Sequence, residues 1–146
     1  MQPLICYESL FPDLVRAAVN TGPRRPRWIV NVSNDSWFGV TSGPLQHLNQ
    51  ASYRAIEEGL PIVRATPTGI SAVIDAYGRV ADHARLGFGQ MAVIDQPLPP
   101  AVAATPYARF GEAFLLVALT ISLLTIIGGI SSHTRKLLMT VPRLWS

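Results

Sequence analysis

The spacing of apolar positions divides the chain into alternating strands and helices, followed by one unbroken apolar run. Leu4–Tyr7 predicts a short strand. Pro12–Asn20 predicts a helix, because Leu14, Val15 and Ala18 share one face, Pro12 sits in the first turn and Asp13 lies at the positive end of the helix dipole. Thr21–Arg27 is a Pro/Gly/Arg loop, and Trp28–Val32 a second strand. Ser33–Ser42 reads as polar loop with aromatic inserts. Pro44–Glu58 predicts a helix on Leu45, Leu48, Ala51, Ala55 and Ile56, closed by Gly59 and stopped by Pro61. Ile62–Ala65 is a third strand. Ile70–Asp75 and Arg79–His83 form a hairpin around Ala76-Tyr77-Gly78, and Met91–Asp95 is a further strand. Gln96–Thr105 is a Pro/Ala linker, and no internal repeat is present.

The run Ala113–Ile130, AFLLVALTISLLTIIGGI, carries no charge. Its only polar side chains are Thr and Ser hydroxyls, which can bond back to helix carbonyls. Its length lies at the short end of the roughly 17–25 residues that span a bilayer core, and Ser131 and Ser132 extend it. A transmembrane helix is therefore expected. His133, Arg135, Lys136 and Arg143 follow the run, whereas only Arg109, opposed by Glu112, precedes it closely. The positive-inside rule then puts the C-terminus in the cytoplasm and the part before Glu112 on the far side of the membrane. The expected organisation is a globular part at 1–108, a span at 109–132 and a basic cytoplasmic tail at 133–146.

Two strand–helix–strand units in succession imply parallel strands and an α/β fold. The loops after the first three strands then share one edge of the sheet. They contain Cys6-Tyr7-Glu8, Ser33-Asn34-Asp35-Ser36-Trp37 and Thr66-Pro67-Thr68-Gly69. Sites in such sheets form at the carboxyl ends of strands.

Composition narrows the chemistry. Of 146 residues, 49% are hydrophobic and 14% charged, against roughly 25% charged in an ordinary soluble domain. The net charge of +3 is scattered, which speaks against nucleic-acid binding. One cysteine and three dispersed histidines, His47, His83 and His133, give no metal-ligand spacing, so no metal is expected. The N-terminus has no signal-peptide pattern and enters directly on a strand, as though the chain began inside a larger protein.

Cys6 stands where a strand ends and the chain turns toward a helix, a place that exposes a nucleophile to backbone N–H groups. A buried, inert thiol is the plainer reading of a lone cysteine. A thiolate needs a base or a cation, yet no lysine precedes Lys136, so the activating cation is absent from the globular part unless an arginine substitutes. Glu8 and Asp35 are candidate bases or loop carboxylates that accept backbone hydrogen bonds, the latter being the expectation for Asp35. Asn34 suits a polar anchor between loops. Trp37 and Phe38 either pack inward or line a path for a lipid chain. Arg54, Glu57 and Glu58 read as surface or ion-pair residues. Arg64, on an apolar strand, requires a partner.

Ile5-Cys6-Tyr7-Glu8, Asn31-Val32-Ser33-Asn34-Asp35-Ser36-Trp37-Phe38-Gly39, Arg54-Ala55-Ile56-Glu57 and Pro61–Ser71 together resemble the carbon–nitrogen hydrolase (nitrilase) superfamily. Gly43–His47, Thr105–Gly111 and the apolar run after it resemble its apolipoprotein N-acyltransferase branch. The resemblance covers almost the whole chain; Pro67 stands where the family often has Asn. It implies the C-terminal part of an αββα sandwich followed by one transmembrane helix. It also implies a Glu–Lys–Cys triad of which only the nucleophile, Cys6, falls in this sequence, the Glu and Lys belonging upstream. Tyr7 and Glu8 match supporting positions and Trp37 an aromatic near the lipid entrance. The implied reaction moves an acyl chain from a phospholipid through a Cys6 thioester to the amine of a lipoprotein's diacylglyceryl-cysteine. The implied place is the outer face of a bacterial inner membrane, and no cofactor is required. The fragment alone is expected to be inactive. A membrane-tethered amidase and a non-catalytic fragment are the competing readings.

Overall fold

The computed structural model describes the backbone of residues 1–140 and the side chains of residues 1–81 and 83–129. The expected basic tail, with His133, Arg135, Lys136 and Arg143, lies outside the described side chains. The chain divides into two units, Met1–Gly111 and Glu112–Ser146.

The first unit is built on a five-stranded mixed sheet in the order β1 (Gln2–Ile5), β2 (Ile29–Val32), β3 (Ile62–Ala65), β4 (Ser71–Ile74), β5 (Val80–Leu86). The first three strands are parallel and the last two antiparallel, as the strand–helix–strand pattern and the hairpin predict. Helix α1 (Pro12–Asn20) joins β1 to β2, and α2 (Gly43–Glu58) joins β2 to β3. Gly59 ends α2 in the left-handed conformation, φ 66°, which a side chain would oppose. A short α3 (Pro106–Phe110) follows the stretch that the sequence suggested was linker; the Thr105 hydroxyl caps it by accepting from Ala108 N–H at 3.0 Å. The preceding stretch is tied down as well, with Val102 N–H donating to the Gly59 carbonyl at 3.0 Å.

The core lies between the helices and one face of the sheet. Leu4, Ile29, Ile62 and Ile74 from the strands meet Val15, Val19, Leu48, Ala51 and Ala55 from the helices, all buried. Each large aliphatic side chain so buried stabilises the fold by about 1.5–3 kcal/mol. On the opposite face Ile5 and Val32 remain exposed, and Val30 and Val63 are half-buried. Met91–Asp95 corrects the sequence reading: it forms no strand. Ala92 and Ile94 line a hollow with Val63 and Val73, while Met91 and Val93 are exposed. Alternation specified a face for this segment but supplied no strand partner.

In the second unit, α4 (Ala113–Thr140) is one continuous helix. The hydroxyls of Thr120, Ser122 and Thr125 donate to helix carbonyls at 2.7–2.8 Å, as the apolar run requires. Among the described residues no helix is long and apolar enough to cross a membrane. The part of α4 whose side chains are described, 113–129, rises about 25 Å at 1.5 Å per residue, against a hydrocarbon core about 30 Å thick.

Candidate active site

The parallel register aligns three strand ends. Ile5 pairs with Val32 and Val32 with Ala65, so Cys6, Ser33 and Thr66 leave the sheet side by side. The strand ends at Ile5, two residues before the predicted end at Tyr7, because Cys6 opens a 3₁₀ turn, Cys6–Leu10. Cys6 has φ 50°, the only positive φ of a non-glycine residue among those described. Left-handed backbone costs an L-residue about 1–2 kcal/mol. Local hydrogen bonds hold it there. Ile5 N–H donates to Glu8 Oε2 at 2.6 Å, and the Cys6 carbonyl accepts from Asn31 Nδ2 at 3.4 Å and Ser9 Oγ at 3.3 Å. Glu8 thus braces the turn that presents the thiol.

Behind the thiol lies a buried polar network. Asp35 and Arg64 are fully buried and paired, with Arg64 Nη2 donating to Asp35 Oδ2 at 2.8 Å. Arg64 Nη1 donates to Asn31 Oδ1, while its buried Nε has no hydrogen-bond partner among the described residues. Asp35 Oδ1 accepts from Ser33 Oγ at 2.8 Å and meets His47 Nδ1 at 2.9 Å. His47 Nε2 lies 3.3 Å from Ser9 Oγ. Ser33 Oγ also lies 3.6 Å from Cys6 Sγ. Asp35, expected to accept backbone hydrogen bonds, is held instead by three side chains.

Charge follows from these contacts. Burial pushes the Asp35 carboxyl up, but the Arg64 charge and the Ser33 and Arg64 hydrogen bonds outweigh it and leave it below the usual carboxylate range. Burial, then the Arg64 charge, hold His47 below its ordinary value against the pull of Asp35. Its Nδ1 lies 2.9 Å from Asp35 Oδ1 and 3.0 Å from Arg64 Nη2, so the imidazole sits within the ion pair. Burial lowers Arg64, opposed by Asp35 and by the Cys6 sulfur, which lies within electrostatic range of the guanidinium. Gly69 makes room for the pair: a Cβ there would lie 2.3 Å from Asp35 Oδ2 and 2.4 Å from Thr66 Oγ1.

Aromatic side chains roof the rim. The Tyr7 ring stacks on His47 at 5.5 Å and 23°, and contacts Trp37 at 5.0 Å and Phe38 at 6.2 Å. Trp37 is 66% exposed, so this large apolar surface faces outward. Asn34 Oδ1 accepts from Thr68 Oγ1 at 2.8 Å and Ser36 N–H at 3.1 Å, linking the loops after β2 and β3. A cleft of about 520 Å³, lined by Val40, Pro44, Leu45, Ile70, Arg85 and Phe88, flanks the Trp37 loop, and Cys6 is not among its walls.

His47 is the site residue that the sequence reading misses. Its signal is position: His47, Ala51, Arg54 and Glu58 form one stripe of α2, and all are buried. At the far end of that stripe Arg54 pairs with Glu57 at 2.6 Å. Glu58, read from the sequence as a surface or ion-pair residue, is buried, and neither carboxylate oxygen has a hydrogen-bond partner among the described residues. Burial and the Glu57 charge raise its pKa above the usual range despite Arg25, Arg16 and Arg54. No group of three or more metal-ligating side chains occurs among the described residues.

The carbon–nitrogen hydrolase family profile matches residues 1–107. The chain belongs to the carbon–nitrogen hydrolase family. Relatives named apolipoprotein N-acyltransferase include that of Caulobacter vibrioides, 55% identical over 136 residues, and that of Rhodopseudomonas palustris, 55% identical over 123 residues. These alignments cover 90% and 83% of this chain but only 25% and 22% of those proteins. The chain therefore spans about a quarter of the length of these curated relatives. A solved mutant of a nitrilase-superfamily amidase from Nesterenkonia AN1 aligns with TM-score 0.46 and 23% identity over 80% of this chain and 43% of that one. The mixed α/β sheet with its helices on one face is the fold expected of this carbon–nitrogen hydrolase segment.

Proposed function

We propose that this chain is the nucleophile-bearing part of a membrane-bound apolipoprotein N-acyltransferase. The observation that carries the reading is Cys6, held at positive φ on a rim shared by three parallel strands and backed by a buried cation. In the first half-reaction Cys6 Sγ attacks an ester carbonyl of a phospholipid. The C–O bond breaks, the lysophospholipid leaves as its alcohol with the thiol proton, and a thioester forms. In the second, the amine of an apolipoprotein's diacylglyceryl-cysteine attacks the thioester. The amide forms, Sγ leaves and regains a proton. The Glu and Lys that the family resemblance implies for proton transfer belong to upstream sequence. Tyr7 and Glu8 support the nucleophile, Glu8 by bracing its turn and Tyr7 through the aromatic roof, where exposed Trp37 meets the lipid. Supporting the choice of acyl transfer are the two relatives at 55% identity and the charge-free apolar run that opens α4.

On this reading 109–132 crosses the bacterial inner membrane. Residues 1–108 then face the periplasm and 133–146 the cytoplasm. The test is intact-mass spectrometry of the protein with its complete upstream coding sequence, incubated with phospholipid in detergent. An acyl mass that hydroxylamine removes and Cys6→Ala abolishes is expected, followed by transfer to a diacylglyceryl-cysteine peptide. Release of the acyl group to water in the presence of that peptide would refute the transferase assignment.

A further inference from the structure

Ser33 has one hydroxyl proton and two acceptors within reach, Asp35 Oδ1 at 2.8 Å and Cys6 Sγ at 3.6 Å. With a neutral thiol the carboxylate is the stronger acceptor and takes the proton. With a thiolate the two acceptors are both anionic, and the guanidinium of Arg64 is near each of them. Nothing else in the network can make this exchange. His47 Nδ1 and Arg64 Nη2 contact Asp35 and each other, Asn31 Nδ2 reaches the Leu4 and Cys6 carbonyls, and Glu8 is engaged with Ile5 N–H. Ser33, Asn31, Asp35 and Arg64 are all more than nine-tenths buried, whereas Cys6 is half-buried, so the network lies in a low-dielectric setting behind a thiol that solvent reaches.

We propose that Ser33, anchored by the Asp35–Arg64–His47 cluster, is a positioning residue that transfers its hydrogen bond from Asp35 to the Cys6 sulfur when the thiolate forms. This rests on Cys6 as the nucleophile but not on the identity of the acyl donor or acceptor. Asp35 holds Ser33 in place through one carboxylate oxygen while the other balances Arg64. When Ser33 turns to sulfur, Asp35 keeps its contacts with His47 Nδ1 and Arg64 Nη2. The sulfur then has a donor from β2's end and a cation from β3. The charged or titratable groups facing it are Arg64 from β3, Asp35 from the loop after β2, His47 from α2, and Tyr7 and Glu8 from its own turn.

The geometry gives opposite signs for two variants. Ser33→Ala removes the donor to the thiolate. Asp35→Asn keeps an amide oxygen within reach of Ser33 but removes the negative charge, which weakens the competing acceptor and leaves the Arg64 charge for the sulfur. The measurement is the iodoacetamide alkylation rate of Cys6 against pH, read on the Cys6 peptide by mass spectrometry. It uses the full-length protein in detergent, with each variant's melting curve recorded alongside. Loss of a hydrogen bond to an ionised group predicts a fall of about tenfold at neutral pH for Ser33→Ala, with the profile displaced to higher pH. Ser33→Thr restores the wild-type profile, and Asp35→Asn displaces it to lower pH. A merely structural network would alter Ser33→Ala and Asp35→Asn in the same direction. That outcome, or a Ser33→Ala profile superimposable on wild type, overturns the proposal. If Ser33→Ala does not fold, Asp35→Asn decides alone: a profile that does not move to lower pH overturns the proposal. Alkylation needs no acyl transfer. Opposite shifts in a protein that forms no thioester with phospholipid would therefore leave this proposal standing and sink the proposed function.

Discussion

The Asp35–Arg64 pair sets a measurable stability. Both side chains are fully buried, with Nη2–Oδ2 at 2.8 Å. Removing one partner of a buried pair leaves an uncompensated charge and costs about 3–5 kcal/mol. Arg64→Met removes the cation and also strips Asn31 Oδ1 of its donor. Asp35→Asn keeps an acceptor for Ser33 and His47 but points an amide N–H₂ at Arg64 Nη2, so it is expected to be similarly costly. The double variant Arg64→Met/Asp35→Asn removes both charges and the donor–donor clash. It is expected within about 2 kcal/mol of wild type, because buried pairs replaced together are often neutral. Independent effects would instead sum to about 6–10 kcal/mol, so the expected coupling exceeds about 3 kcal/mol. The assay is urea unfolding in detergent, followed by the fluorescence of Trp28 and Trp37. With m of about 1–3 kcal/mol/M, each single variant lowers the midpoint by on the order of 2 M. A double variant as unstable as the sum of the singles, or an Arg64→Met cost below about 1 kcal/mol, refutes the reasoning.

Two further perturbations separate strain and charge from packing. Cys6→Gly is expected to raise stability by about 1 kcal/mol by relieving the positive φ, while abolishing thioester formation; a loss of stability in thermal melts would show that the turn is not strained. Glu58 has a folded pKa above its unfolded value, so its contribution is fully present below about pH 4.5 and is lost as pH rises through the folded pKa. Glu58→Gln should therefore gain on wild type, by on the order of 1 kcal/mol, as pH climbs from about 4.5 toward neutrality in paired denaturant titrations. A constant difference across that range would place the titrating group elsewhere.

The sequence carried the topology because it depends on order and spacing alone. Two strand–helix–strand units put three strand ends on one rim, and Cys6, Ser33 and Thr66 stand there side by side. It carried the pairing of Arg64 only as a requirement. A charge on an apolar strand needs a partner, but Asp35 lies 29 residues away and reaches Arg64 through the register of β2 against β3. His47 is hidden for a related reason. Its face of α2 holds Ala51, Arg54 and Glu58, so polar residues at helical spacing resemble a solvated edge when they mark a buried seam. Met91–Asp95 shows the converse failure, since alternation without a partner makes no strand. In each case the missing information is which element lies opposite. That is why the chemistry proposed for Cys6 has to be read from the network behind it: the 3₁₀ turn presents the sulfur, but the polar groups behind it come from β2, β3 and α2 together.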